Sequence, residues 1–229
     1  MPDRLHRCRI LIGDEKLSKL RNSTVMVVGC GAVGSFAIEA LARSGIGHII
    51  LVDFDKIETT NINRQLFATQ NSIGHKKTSV AHERIDAISP NIKVTELDVF
   101  FDKDTAPDVH PNFVIDAIDT IASKIALYEW CRQNSIAFIS SMGAARKTDP
   151  SMVKIDKLSE TFACPLAKQV RKLVREHNIQ PDFPVVFSME VPQKQQTPDK
   201  NMGSIITVTG TFGLFAANYA IKYIMDSDH

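Results

Sequence analysis

The sequence predicts an α/β fold: a Rossmann-like, doubly wound, mainly parallel sheet with a C-terminal α+β extension. Three observations carry that prediction. Residues 25–28 form a continuous apolar run, as in a strand buried on both faces. Gly29-Cys-Gly31-Ala32-Val-Gly34 follows at once, and residues 35–43 read as a helix. Residues 48–52 form a second apolar strand that ends one step before Asp53. Strand, glycine turn, helix, strand is the opening unit of a doubly wound sheet.

The remaining elements follow in order. Residues 14–20 read as a short helix ahead of the first strand. Residues 77–88 read as a helix closed by Ser89-Pro90-Asn91. Strands are expected at 92–97, 113–118 and 136–140, with a helix at 122–133 between the last two. After Gly143 the alternation weakens, giving short strands at 153–155 and 185–187 around a basic amphipathic helix at 165–177. Residues 192–202 carry turn formers without apolar periodicity and read as a mobile loop. The uncharged stretch 201–221 approaches the length of a membrane helix, but Asn201, Ser204, Thr207, Thr209, Thr211 and Asn218 interrupt it. A strand and then a packed helix over about 211–225 fit it better. The division expected is a Rossmann-like domain over 1–150 and an extension over 151–229 that belongs to the same compact unit.

Composition narrows the function. With 44% apolar and 23% charged residues the chain is expected to fold as a globule rather than stay disordered. Lys+Arg 27 against Asp+Glu 26 gives no global basic field, so any RNA contact needs a local patch. Cys8, Cys30, Cys131 and Cys164 form no CxxC pair, which argues against structural zinc and a secreted disulfide framework. Residues 1–10 are charged and lack an apolar run, so no signal peptide is expected and the cytoplasm is the expected compartment.

The glycine turn lets backbone approach phosphates at a helix N-terminus, and Asp53 stands where a ribose hydroxyl binds. Those two features suit NAD or ATP equally. The run from Asp53 and Asp55 to Asn61, Asn63, Arg64 and Gln65 separates them, because a dehydrogenase needs nothing like it. Arg64 can fork onto phosphate oxygens, and Asn61 and Asn63 offer amide donors. Lys77 opens the next helix with a point charge. Asp119 lies at the carboxyl edge of the sheet, where an acid suits Mg²⁺ shared with substrate phosphates.

GCGAVGS, LVDFD…TNINRQ, GHKK and VIDAIDT, in this order, are similar to the adenylating domain of the ubiquitin-activating-like superfamily. That superfamily includes the bacterial activators of molybdopterin and thiamin sulfur carriers. The resemblance implies ATP and Mg²⁺ as cofactors. It implies that Asp53 binds ribose, that Arg64 and Lys77 bind phosphates, and that Asp119 holds the metal. Arg4-Leu-His-Arg7 resembles the family's Arg-aromatic-x-Arg, which implies a homodimer with Arg7 reaching the partner's site.

The C-terminal part narrows the branch. Ser141-Met-Gly143-Ala-Ala-Arg-Lys-Thr-Asp149-Pro150, Cys164-Pro165-Leu-Ala-Lys-Gln-Val-Arg171, Val185-Val-Phe-Ser188-Met-Glu190 and Thr209-Gly-Thr-Phe-Gly213 resemble the TcdA (CsdL) family of tRNA threonylcarbamoyladenosine dehydratases. That resemblance implies a tRNA substrate whose threonylcarbamoyl group is cyclised at the cost of ATP. It brings sulfur-relay proteins, a cysteine desulfurase or its acceptor, into view as candidate partners. Cys164 departs from the family's usual Asp at this position, and the 192–201 loop is short. Lys168, Arg171, Lys172, Arg175 and His177 offer a patch for tRNA phosphates that Arg146 and Lys147 would extend. An adenylating activator of a ubiquitin-like sulfur carrier is the alternative function. A NAD-dependent oxidoreductase and a non-catalytic nucleotide sensor stand behind it.

Overall fold

A computed structural model describes residues 3–199 and 201–227, so Lys200 of the expected 192–202 loop lies outside the described residues. Seven strands form one sheet in the order β3-β2-β1-β4-β5-β7-β6. They are β1 (Thr24–Val28), β2 (His48–Val52), β3 (Lys93–Leu97), β4 (Phe113–Asp116), β5 (Phe138–Ser141), β6 (Val153–Lys157) and β7 (Pro184–Ser188). All pair in parallel except β6, which runs antiparallel along the edge of β7. The helices are α1 (His6–Arg21), α2 (Gly34–Ser44), α3 (Lys77–Ile88), α4 (Ile121–Gln133), α5 (Pro165–Glu176) and α6 (Ile206–Asp226).

Strand period builds two faces. Val25, Val27, Ile49, Leu51, Phe113 and Ile115 point into a core shared with α2, α3 and α6. Met26, Val28, Ile50, Val52 and Val114 point the other way, towards Leu127 and Cys131 of α4. Helix α5 closes a further cluster with Tyr128, Val185 and Phe187. The central strands therefore read as unbroken apolar runs because both faces are covered. Strands β6 and β7, from the 151–229 stretch, extend the same sheet rather than forming another.

Three expectations need correction. The first helix is longer than 14–20: it runs His6–Arg21, with a break at Gly13 (φ 82°, ψ 169°). The strand expected at 113–118 stops at Asp116, whose carboxylate accepts from the Ile118 N–H (3.0 Å) and turns the chain. Among the described residues no strand forms between β7 and the last helix, which begins at Ile206. Residues 206–209 have strand propensity, but α6 lies along α2 and the sheet, and packing overrides propensity. The Thr211 hydroxyl is satisfied inside the helix by the Thr207 carbonyl (2.8 Å). Among the described residues no helix is long and apolar enough to cross a membrane.

Candidate active site

Strand order reverses between β1 and β4, and in such sheets ligands bind in the crevice beyond the carboxyl ends at that point. A cavity of about 760 Å³ opens there. It is lined by Gly29, Gly31, Ala32, Asp53, Asp55, Arg64, Gln65, Lys77 and Asp119, residues brought together from five separate loops or helix starts.

The glycine turn is held by close contacts. Gly29 has φ 94°, and a Cβ on it would lie 2.6 Å from the Ala117 carbonyl oxygen. A Cβ on Gly34 would lie 1.7 Å from the Gly29 carbonyl oxygen. Gly34 does not line the cavity; it lets α2 start directly under the turn. Asp53 fixes the same turn from the next strand. Its carboxylate accepts from the N–H of Cys30 (2.7 Å) and of Asp55 (2.8 Å). Burial pushes the Asp53 carboxyl up, while Lys77 and those two amides pull it back.

Lys77 is nearly buried, and its ammonium is 2.7 Å from the Asp55 carboxylate. Arg64 donates to the Thr60 carbonyl (2.8 Å) and to Asn63 Oδ1 (2.9 Å), which holds its guanidinium at the cavity wall with further N–H groups to spare. Gln65 is buried beside Gly31. Asp119 is exposed on the turn before α4, and its only hydrogen-bond partner among the described residues is the Thr120 hydroxyl (3.3 Å). It is not the cap of α4: Thr120 holds that position.

Besides Gly34, three expected site residues lie off the cavity. Asn61 is buried and its Oδ1 accepts from the Glu58 N–H (3.2 Å), closing a single helical turn. Asn63 donates to the Ser204 carbonyl (3.1 Å), tying the Arg64 segment to the start of the last helix. Arg7 is exposed on α1 and does not line the cavity of its own chain.

A buried network that the sequence does not announce lies at the end of β4. Asp116 and Lys124, both fully buried, are paired at 2.8 Å. The Tyr128 and Ser140 hydroxyls also donate to Asp116 (3.0 and 2.5 Å). Lys124 donates to the Ser141 carbonyl (2.8 Å), so one network joins the turn that carries Asp119 to the turn after β5. The Asp-x-x-Asp and helical Lys were visible in sequence, but a buried role for them was not. Lys147 was also misread. It is not an extension of a surface patch: it is buried and lines the cavity. Arg171 is likewise committed, donating to the Thr161 carbonyl (2.8 Å), while Lys168, Lys172 and Arg175 stay exposed on α5.

Cys164 also lines the cavity, yet its sulfur caps α5 by accepting from the Ala167 N–H (3.4 Å). Serine caps a helix well. Cys164→Ser is therefore expected to keep most activity and to change stability by no more than about 1 kcal/mol; a hundredfold loss in the chemical step with ATP affinity unchanged would make Cys164 a nucleophile. Burial pushes the thiols of Cys30 and Cys131 up, which makes both inert.

The ThiF family model matches residues 5–229. The chain is 46% identical over 189 residues to the tRNA threonylcarbamoyladenosine dehydratase of Bacillus subtilis, covering 81% of this chain and 74% of that protein. The crystal structure of the Escherichia coli tRNA N6-threonylcarbamoyladenosine dehydratase in complex with AMP superposes with a TM-score of 0.92 at 36% identity, covering 97% of this chain and 94% of the other. The same enzyme in complex with ATP gives 0.91 at 35% identity, covering 97% and 93%.

Proposed function

The chain belongs to the ThiF family, and on that premise we propose that it carries out the ATP-dependent cyclising dehydration of N6-threonylcarbamoyladenosine in tRNA. The observation that carries this reading is the composition of one cavity. It joins the glycine turn, Arg64 and Lys77 to Ser141–Lys147 and Cys164–Leu166, the segments that match the dehydratase pattern. The alternative, activation of a ubiquitin-like sulfur carrier, is not favoured by relatives of this identity.

A free carboxylate resists attack. Its oxygen displaces a phosphate leaving group from a phosphorus of ATP, giving a mixed anhydride, so the reaction is of the ligase type. A nitrogen or oxygen of the neighbouring carbamoyl group then attacks the activated carbonyl carbon and loses its proton. The former carboxylate oxygen departs on phosphate, and the net change in the nucleoside is loss of water. Because the second attack is intramolecular, positioning supplies much of the rate. Arg64 and Lys77 neutralise phosphate charge as it develops. Asp53 takes the ribose hydroxyls while holding the turn. Asp119, a rim carboxylate unpaired with any cation among the described residues, fits Mg²⁺, which takes one or two carboxylates plus phosphates and supplies charge neutralisation there. The two steps need no protein thiol; Cys30, Cys131 and Cys164 are buried and Cys8 is half-buried. Cytoplasmic tRNA is the substrate the reading calls for. Analysis of tRNA nucleosides from cells lacking the protein tests it: the dehydrated form is expected to vanish and the threonylcarbamoyl form to remain.

A homodimer completes the site in this reading. Leu11 on α1 and Leu214 and Phe215 on α6 are exposed, and the two helices pack together. Exposed apolar side chains of this size suit an interface. Arg7, outside its own cavity, is then free to enter the partner's. Arg7→Ala and Arg64→Ala are each expected to be inactive. Mixed and randomly re-paired, they should recover roughly a quarter of wild-type activity, because one site in each heterodimer carries neither lesion. Intact dimers without recovery would put Arg7 to work in its own subunit.

A further inference from the structure

Lys147 is buried, with 2% of its surface exposed, yet it lines the cavity. Its ammonium donates to the Ser188 carbonyl (2.8 Å), and among the described residues no carboxylate pairs with it. Glu190 is the acid near it, but that carboxylate is occupied by the Thr148 and Asp149 N–H groups (2.9 Å each) and by the Thr148 hydroxyl and Gln193 amide. Arg146, just before it, sits at φ 59°, in the left-handed region. Burial pushes the Lys147 ammonium down, against the opposing influence of Cys164 and Glu190. An ammonium has three donors, and one is used. A buried cation without an anion is costly, so the missing partner is expected to arrive with the ligand.

Resting on the function proposed above, we infer that Lys147 binds the threonyl carboxylate of the modified adenosine, so that this residue selects the free acid among possible substrates. Arg64 and Lys77 are on the glycine-turn side of the cavity with Asp53 and Asp55, which leaves Lys147 as the buried cation contributed by the turn after β5. An ion pair to the carboxylate would also hold that group still while its oxygen meets the phosphorus. A neutral ester or amide of the same side chain would leave the ammonium unpaired, and that desolvated mismatch is where selectivity arises.

The test compares a threonylcarbamoyl-bearing anticodon stem-loop with its threonyl methyl ester, each titrated onto the full-length protein. Wild type is expected to bind the acid at least tenfold more tightly than the ester. Lys147→Gln keeps a donor for the Ser188 carbonyl and removes the charge. It is expected to bind both oligonucleotides equally, with ATP affinity within twofold of wild type, and Lys147→Arg should restore part of the preference. Acid preference retained in Lys147→Gln overturns the inference. So does absence of preference in wild type, a measurement that needs no variant to fold. A Lys147→Gln protein that loses ATP affinity as well also counts against it, since Lys147 would then support the fold. Failure of wild type to convert the acid with ATP overturns the functional reading itself, a result distinct from the others.

Discussion

Asp119→Ala is expected to lower Mg²⁺-dependent turnover by about 10²–10³-fold, or roughly 3–4 kcal/mol of transition-state stabilisation. The residue is exposed, and among the described residues it bonds only to the adjacent Thr120 hydroxyl. Its replacement should therefore change unfolding free energy by no more than about 0.5 kcal/mol. The separation of the two effects is the point. An acid that merely ended a strand or capped α4 would give a fold penalty and little kinetic loss. Turnover like wild type in Asp119→Ala, measured at saturating ATP and Mg²⁺, would remove Asp119 from the site.

The opposite pattern is expected three residues earlier. Asp116→Ala leaves Lys124 charged and fully buried, with no carboxylate paired to it among the described residues. Breaking one partner of such a pair costs about 3–5 kcal/mol. For a chain of this length that lowers the melting temperature by roughly 10 °C. The double variant Asp116→Ala with Lys124→Met removes the stranded charge and should recover part of the loss, since residues in one network couple. Denaturant titration of the wild type, both single variants and the double completes the cycle. Additive losses would show that the pair is not coupled, and an Asp116→Ala loss below about 1 kcal/mol would show that water or another group already compensates Lys124.

These two acids also show what the sequence conveys. Both stand in Val114-Ile115-Asp116-Ala117-Ile118-Asp119. The apolar run located the strand, and the position of Asp119 after it marked the carboxyl edge. Nothing local distinguishes Asp116, because its meaning depends on Lys124 and Tyr128 of α4 and on Ser140 of β5. The glycine turn was legible for the opposite reason: strand, turn and helix are contiguous, so period and composition describe them directly. Asn61 and Asn63 matched a resemblance by type, but one closes a turn and the other ties two segments together. Lys147 was misread as a surface charge because a left-handed residue, Arg146, precedes it, and sequence does not announce φ 59° at arginine. The start of α6 was missed because its first residues favour strand until α2 and the sheet decide otherwise.

In the proposed reaction the cavity activates the threonyl carboxylate with ATP so that the modified base closes on itself. The most direct test incubates the purified protein with tRNA bearing N6-threonylcarbamoyladenosine, with and without ATP, and reads the nucleoside mass. The account predicts a product lighter by one water, formed only with ATP and Mg²⁺ and absent with Asp119→Ala. Unchanged nucleoside mass with wild-type protein, under conditions where ATP protects it from thermal unfolding, would contradict the account.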